Sequence, residues 1–529
     1  MNDAHRPRVT IVGAGIAGLT AAWKLINAGI EVELYESNSH VGGKFGATSS
    51  GPRFHEHAYH FLADWCVNFW DLSRAIGVGS DRYTARTGYQ FLRKGQFPAT
   101  SALSNLSSPQ QGWNNIYSGV MPWYEILIYL HSMLDLLVEN LHDDVTRRRF
   151  LNRISVNGFV ASRRYATNAS ALLHQNVLLR AFAAPSYRTS ARTYRNFLKY
   201  AFGSPSPHFR ILRTDSESGF FSPFLAALRR KSDEQNIPFT IKSNTRLTGF
   251  TLDDSAGPPR VTHIHLANRD SVVSQPVDSV IVAIPHHALF DVIKEDTAFY
   301  RAAPDLFAIA NLNSRPLASL DLCFNRRLEG IGDEHVTLID DDCSESHGFR
   351  SRFSLSFVDN AQLWDQSTTP FNTTALNVVA SDFESLMHLP ESVAAQIIVD
   401  EFAKYVPFTP RDIDWDATHF QSNVDAPLFL NEVGSWDSRP TTKTALTNLF
   451  LAGDYCRTDA DIVSLEGAVE SGIRAAHLSS TRLATTAPIA TSSPPKPLPE
   501  VDFDSVFALR RLLAPWVAAA KRASDNAAH

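Results

Sequence analysis

The chain has 529 residues, 44% of them hydrophobic and 20% charged, which excludes a disordered chain and exceeds what one hydrophobic core ordinarily organises. Its 49 basic and 55 acidic residues leave a net charge of −6 with no basic stripe, excluding nucleic acid as a partner. Cys66, Cys323, Cys343 and Cys456 lie far apart without a Cys-x-x-Cys pair, so neither a zinc site nor a disulfide framework is indicated, and with no secretory signal before Val9 a cytoplasmic chain is expected.

From Arg8 a β-branched run leads into Gly13-Ala-Gly15-Ile16-Ala17-Gly18, then a helix-period segment closed by Gly29, then a second strand ending at Glu36. In this strand–turn–helix setting each glycine has a physical task. Gly13 permits the tight turn, Gly15 lets a pyrophosphate approach the backbone at the helix N-terminus, and Gly18 allows close packing of helix on strand. Glu36, placed at the end of the second strand, suits an adenosine ribose hydroxyl. Dinucleotide binding is the expectation.

A Gly/Ser-rich loop spans 37–51, and a helix is expected after Phe61, up to about Gly77. Residues 78–214 carry helical patterns, with Ile126, Leu127, Leu130, Met133, Leu134 and Leu137 forming an apolar stripe. Glu125, His131 and Asp135 interrupt the 123–138 stretch, so it reads as a core face, a greasy substrate entrance or a face resting on a membrane, and not as a spanning helix. Strands are expected over 239–251, 261–267 and 279–285, and His286 and His287 are expected at the surface beyond the Ile-Pro turn. The run Asn448–Asp454 reads as a buried parallel strand, followed by a helix over 464–477. A Pro/Ser/Thr linker over 485–502 is expected not to pack, and an amphipathic helix over 503–529, kinked at Pro515, either docks on the body of the protein or lies in a membrane interface.

Val41-Gly42-Gly43-Lys44, Leu451-Ala-Gly453-Asp454 and Ser464-Leu-Glu-Gly467-Ala468-Val469-Glu-Ser-Gly472 together resemble the flavin-containing amine oxidoreductase superfamily, and within it the plant and cyanobacterial type of carotenoid (phytoene and zeta-carotene) desaturases. Glu56-His-Ala58-Tyr59-His60-Phe61, Arg439-Pro-Thr and Asp454-Tyr-Cys-Arg-Thr extend the likeness, with a weaker match at Arg246–Gly249. The resemblance implies an α/β chain in which a Rossmann-like FAD-binding domain of amine-oxidase type (1–77, 215–290 and 437–484) is interleaved with an α+β substrate domain (78–214 and 291–436). It also implies FAD, held without a covalent link because no flavin-linking cysteine motif is present, at Gly13, Gly15, Ile16, Ala17, Gly18, Glu36, Gly43, Lys44, Ala58, Leu247, Gly453, Asp454, Gly467, Ala468 and Val469. Ala58 stands where the family has a glycine and Leu465 where it has a methionine, which alters the pocket wall beside the cofactor.

The expected activity is oxidation of a small hydrophobic substrate, an isoprenoid, polyene or other lipid, by hydride transfer from a C–C bond to the flavin. A redox-neutral isomerase of an unsaturated lipid, an amine oxidase and a flavin-binding partner protein without turnover are the alternatives. Tyr59 and His60 are the candidates for shaping the pocket or moving a proton, beside a purely structural role for the histidine. His55, His57, His60 and Glu56 do not complete a metal site by spacing. A single dinucleotide fingerprint makes oxygen or a quinone the expected electron acceptor, and peripheral docking on a membrane is expected through the 126–137 stripe and the terminal helix, with packing of both on the protein as the alternative.

Overall fold

The computed structural model describes residues 7–50, 53–86, 88–104, 109–139, 150–204, 209–255, 257–269, 271–340, 349–365 and 373–527. Cys343 therefore lies outside the described residues, as do the first six and last two residues of the chain. The β-branched runs met in the sequence assemble into one five-stranded, wholly parallel sheet of β1 (Arg8–Val12), β2 (Glu31–Tyr35), β3 (Phe239–Lys242), β4 (Ser279–Val282) and β5 (Leu449–Leu451), in the spatial order β3-β2-β1-β4-β5. Helix α1 (Ile16–Asn27) and the Leu465–Leu483 helix pack together so closely that a Cβ on Gly472 would stand 2.3 Å from the Ala17 carbonyl oxygen. Buried Leu19, Ala22, Leu25 and Ile26 of α1 join Ile11 and Leu34 of the sheet in the largest apolar core.

A second, seven-stranded sheet carries the other half of the molecule. Its order is His419–Ser422, Ala318–Cys323, Ala375–Ala380, Leu355–Asp359, Val336–Ile339, Gly88–Arg93 and Ser101–Ser104, antiparallel except where Val336–Ile339 runs alongside Gly88–Arg93. Period-two alternation divides its faces. Leu320, Phe357 and Val378 pack with Ile398 and Phe402 of the Glu391–Phe402 helix, whereas Ser356 and Val379 face the large cavity described below. Strands at Tyr83–Arg86, Gly88–Arg93, Ser101–Ser104 and Phe209–Leu212 stand beside the helical patterns of 78–214. Gly88–Arg93 finds a partner some 250 residues away, so the helical periodicity that dominates this segment carries no trace of the pairing.

One expectation for the C-terminal region is corrected, and the terminal helix takes the first of its two alternatives. Residues 485–502 form no regular element, yet they pack as a strap: Asn68 Nδ2 donates to the Lys496 carbonyl, the Lys496 N–H donates to Asn68 Oδ1, and Leu498 enters the main core. The Phe503–Ala527 helix continues through Pro515 and lies along the Trp123–Val138 helix, burying Val517 and Ala520 against Leu127 and Ile128. Arg510 pairs with Asp135, and Ser524 donates to Glu125. The apolar stripe is thus covered by this chain itself. Among the described residues no helix is long and apolar enough to cross a membrane.

Glu466, in the first turn of the Leu465–Leu483 helix, accepts from the backbone N–H groups of Asn68 (3.1 Å) and Phe69 (2.9 Å) and from Asn68 Nδ2 (2.7 Å), capping the Val67–Ala75 helix. Burial pushes its pKa up to about 7 from 4.5. An acid whose pKa is raised on folding favours the folded chain below its unfolded value and loses that contribution as pH climbs to the folded value. The stability of the natural chain relative to Glu466→Gln should therefore fall between about pH 4.5 and 7 and stay level above, as read from urea midpoints across that range.

Ending the chain at Leu498 should bare Leu127 and Ile128, lower the melting temperature by several degrees and raise binding of an apolar dye.

Candidate functional site

All five strands of the parallel sheet deliver their carboxyl ends to one cavity of about 1160 Å³. Its walls take Val12, Gly13, Gly15, Ile16 and Ala17 after β1, Tyr35 and Glu36 after β2, Thr245 to Thr248 after β3, Ala283 to Pro285 after β4, and Gly453 and Asp454 after β5. Ligands of open α/β sheets bind in such a crevice.

The three fingerprint glycines separate by what a side chain would meet. Gly13 sits at φ +103°, and a Cβ there would lie 2.4 Å from the Ala283 carbonyl oxygen. At Gly18 it would lie 1.9 Å from the Gly13 oxygen, so Gly18 stands behind the cavity as a packing position. A Cβ on Gly15 would meet nothing closer than Gly43 Cα at 3.9 Å, and its open side is the cavity. The Glu36 carboxylate accepts the Ala14 N–H at 2.7 Å through one oxygen and the Asn38 N–H at 2.9 Å through the other, which ties the glycine turn to the end of β2. Leu247 lies at this same end, where the Thr245 N–H donates to the Glu36 carbonyl.

At the other end of the crevice the Gly42–Gly46 turn lies against α1 through the Gly42 N–H, which donates to the Ala14 carbonyl, and it brings Lys44 Nζ to 2.9 Å from Asp454 Oδ2 across 410 residues. Gly43, Lys44, Ala58, Gly453, Asp454, Leu465 and Ala468 all line the cavity here. Gly467 and Val469 do not: Gly467 donates its N–H to Ser464 Oγ at the start of the helix, and Val469 is buried in the main core. Arg439, itself buried, pairs with Asp461 and donates to the carbonyls of Tyr455 and Cys456, holding the turn that carries Asp454. This set suits a dinucleotide: an open glycine cradle at a helix N-terminus, an acid for a ribose and a paired cation beyond.

Beyond the crevice the cavity continues toward the seven-stranded sheet between Phe61, Val177, Phe182, Phe197, Phe209 and Leu428. His60 stands at the junction. Its Nδ1 has no hydrogen-bond partner among the described residues and lies 3.6 Å from Glu56 Oε2, while the other Glu56 oxygen accepts the Ser216 N–H. Behind His60 a polar chamber of about 20 Å³, also lined by Glu56, Asp321 and Asn377, has room for about one water. Of the two parts expected of it, Tyr59 fits the shaping of the pocket. Its hydroxyl is engaged by His335 Nε2 at 2.8 Å and by Ser356 Oγ, and burial raises its pKa, so it stays a protonated, anchored wall. His57 is buried and driven down to about 3, hence neutral, while His55 pairs with Asp321 and stacks on His419. Among the described residues no group of three or more His, Cys, Asp or Glu side chains is placed to hold a metal ion.

His286 and His287 correct the surface assignment. His286 is 3% exposed, its Nε2 hydrogen-bonded to the Leu312 carbonyl, and His287 borders the cavity. Their position directly after a parallel strand's carboxyl end was the available signal. Arg180, His335 and Ser356 also line the cavity, and nothing in their local sequence marks them.

The family model "Flavin containing amine oxidoreductase" matches residues 16–478. The chain belongs to this family of flavin oxidoreductases. Among relatives of the flavin-containing amine oxidoreductase, a probable zeta-carotene desaturase of Synechococcus elongatus is 23% identical over 89% of this chain and 98% of its own length. A zeta-carotene desaturase of a Synechocystis species is 24% identical over 89% and 96%. Among solved structures, a putative protoporphyrinogen oxidase from Exiguobacterium sp. 255-15 superposes with a TM-score of 0.61 at 18% identity, over 90% of this chain and 99% of that one. Cyclohexylamine oxidase from Brevibacterium oxydans follows at 0.57 and 12%, over 91% and 100%.

Gly15→Val should fold with a near-natural melting temperature yet purify without its yellow flavin, because the side chain fills the open cradle. Gly18→Ala should instead lose stability, because it collides with the Gly13 carbonyl; absorbance and thermal melts of the two proteins check the contrast.

Proposed function

We propose that the protein binds FAD noncovalently and desaturates C–C bonds of a lipophilic substrate. The observation that carries this reading is the continuity of the cavity, from the glycine cradle past His60 into a chamber walled mainly by aromatic and aliphatic side chains. Its volume of about 1160 Å³ exceeds the ~300–1,000 Å³ of an ordinary ligand pocket, leaving room for a dinucleotide and a second apolar molecule together. The names of the two desaturase relatives point the same way.

Bound FAD supplies a two-electron acceptor at its flavin ring. The chain's residues do the remaining work. Gly15, Ile16 and Ala17 would present the helix N-terminus to its pyrophosphate, Glu36 would take its ribose, and Lys44, held by Asp454, would with Ala58 and Ala468 line the place left for its flavin ring. Phe61, Phe182 and Phe209 exclude water and align an extended apolar substrate. His60 takes the proton lost from the adjacent carbon and passes it toward Glu56 and the polar chamber. Oxygen or a quinone then removes the electrons. A protonated amine would face the Arg180 cation, which no carboxylate among the described residues pairs, and this favours a lipid over an amine substrate.

Such a substrate resides in membranes. The outward side of the terminal helix carries Leu509, Leu512 and Trp516, exposed by 42, 67 and 63%, beside Arg511, and these suit peripheral docking.

His60→Ala should leave flavin content and melting temperature near natural while slowing anaerobic flavin reduction by substrate about 10²–10⁴-fold, the usual worth of a general base. Stopped-flow bleaching of the flavin measures it. A redox-neutral isomerase would convert substrate without net reduction of any acceptor.

A further inference from the structure

Arg180 occupies the last turn of the Asn168–Phe182 helix, with its guanidinium over the rings of Tyr89 and Phe91 at 5.4 and 4.9 Å from their centroids. Its Nε donates to the Asn176 carbonyl at 3.2 Å and its Nη1 to Thr337 Oγ1 at 2.5 Å, both neutral acceptors. No carboxylate among the described residues pairs with it. Burial lowers its pKa only to about 10, so it keeps its charge at neutral pH. Arg180 is half-buried and lines the cavity, and a cation so placed without a carboxylate partner favours a ligand that supplies the opposite charge.

The groups around it are neutral and polar. His335, 3% exposed and held neutral by burial and by Arg180 itself, lines the same cavity, and its Nδ1 has no partner among the described residues. The hydroxyls of Tyr59 and Ser356 complete the cluster. One cation among neutral hydrogen-bonding groups matches a single negative charge. A hydrocarbon would leave it unanswered.

We propose that Arg180, with His335, Ser356 and Tyr59, receives the carboxylate of an otherwise apolar, unsaturated substrate. This rests on the reading of the cavity as a lipid site and narrows the substrate class to long-chain or polyene acids. Tyr59 adjoins His60 in the chain, so the acid terminus is anchored on the wall that also carries the proton acceptor.

The test uses the flavin-loaded full chain and two fluorescent probes, cis-parinaric acid and its methyl ester, which share the apolar polyene and differ in charge. The acid should bind roughly ten- to a hundredfold more tightly than the ester, the usual worth of a charge-assisted hydrogen bond. Arg180→Met should erase that preference while keeping the affinity for the ester and the flavin content. Equal binding of acid and ester to the natural protein, a comparison that needs no variant, would overturn the proposal and leave the lipid cavity standing. A preference for the acid that survives in Arg180→Met would overturn it as well. If neither probe binds, the lipid cavity itself fails and the proposal with it.

Discussion

The seating of α1 on the parallel sheet is the constraint from which the site follows. A methyl group at Gly18 would stand 1.9 Å from the Gly13 oxygen and 3.4 Å from the Ala283 side chain, so only glycine lets the helix approach that closely. That approach aims the helix N-terminus along the carboxyl ends of the strands. It also sets Gly15 opposite the Gly42–Gly46 turn, and through that turn Lys44 reaches Asp454. Glu36, gripping the Ala14 N–H, fixes the same turn from the other side. Loosening this single contact would shift the cradle, the acid and the ion pair together.

The charge distribution inside the cavity is equally economical. His57, His335 and Tyr59 are all pressed into neutral forms by burial, and Lys44 is matched by Asp454. Arg180 keeps its charge and has no carboxylate partner among the described residues. Where a charge lies against neutral, buried groups the effective dielectric is low, and the charge exerts a far larger orienting force than it would in water.

What the sequence revealed follows from how local each feature is. The βαβ unit, its three glycines and Glu36 lie within 30 residues and carry their structural context with them. Lys44 and Asp454 were readable as motifs, though not as partners, because no pattern states which loops a parallel sheet brings together. The family resemblance named three successive helical positions, 467, 468 and 469. Successive residues on a helix point about 100° apart, so one faces the crevice while its neighbours face the preceding loop and the core. Arg180 and His335 were invisible for a different reason: their meeting depends on the alignment of Gly88–Arg93 with Val336–Ile339, which neither segment announces. The 485–502 segment has a composition that rules out helix and strand, and composition alone does not reveal that Asn68 offers it a backbone-like pair of hydrogen bonds.

The interleaved strand order also governs how the chain is born. β1 is made first, but its outer neighbour β4 ends at residue 282, and the sheet is not closed until β5 ends at residue 451. At ribosomal speeds of about 5–20 residues per second, roughly 20–90 s separate synthesis of the glycine turn from arrival of the last strand. During that interval an apolar parallel edge stands open, and N-terminal-first folding, the ordinary safeguard of a multidomain chain, is unavailable. Expression in a host should therefore be limited by chaperone supply and translation rate more than by the stability of the finished protein.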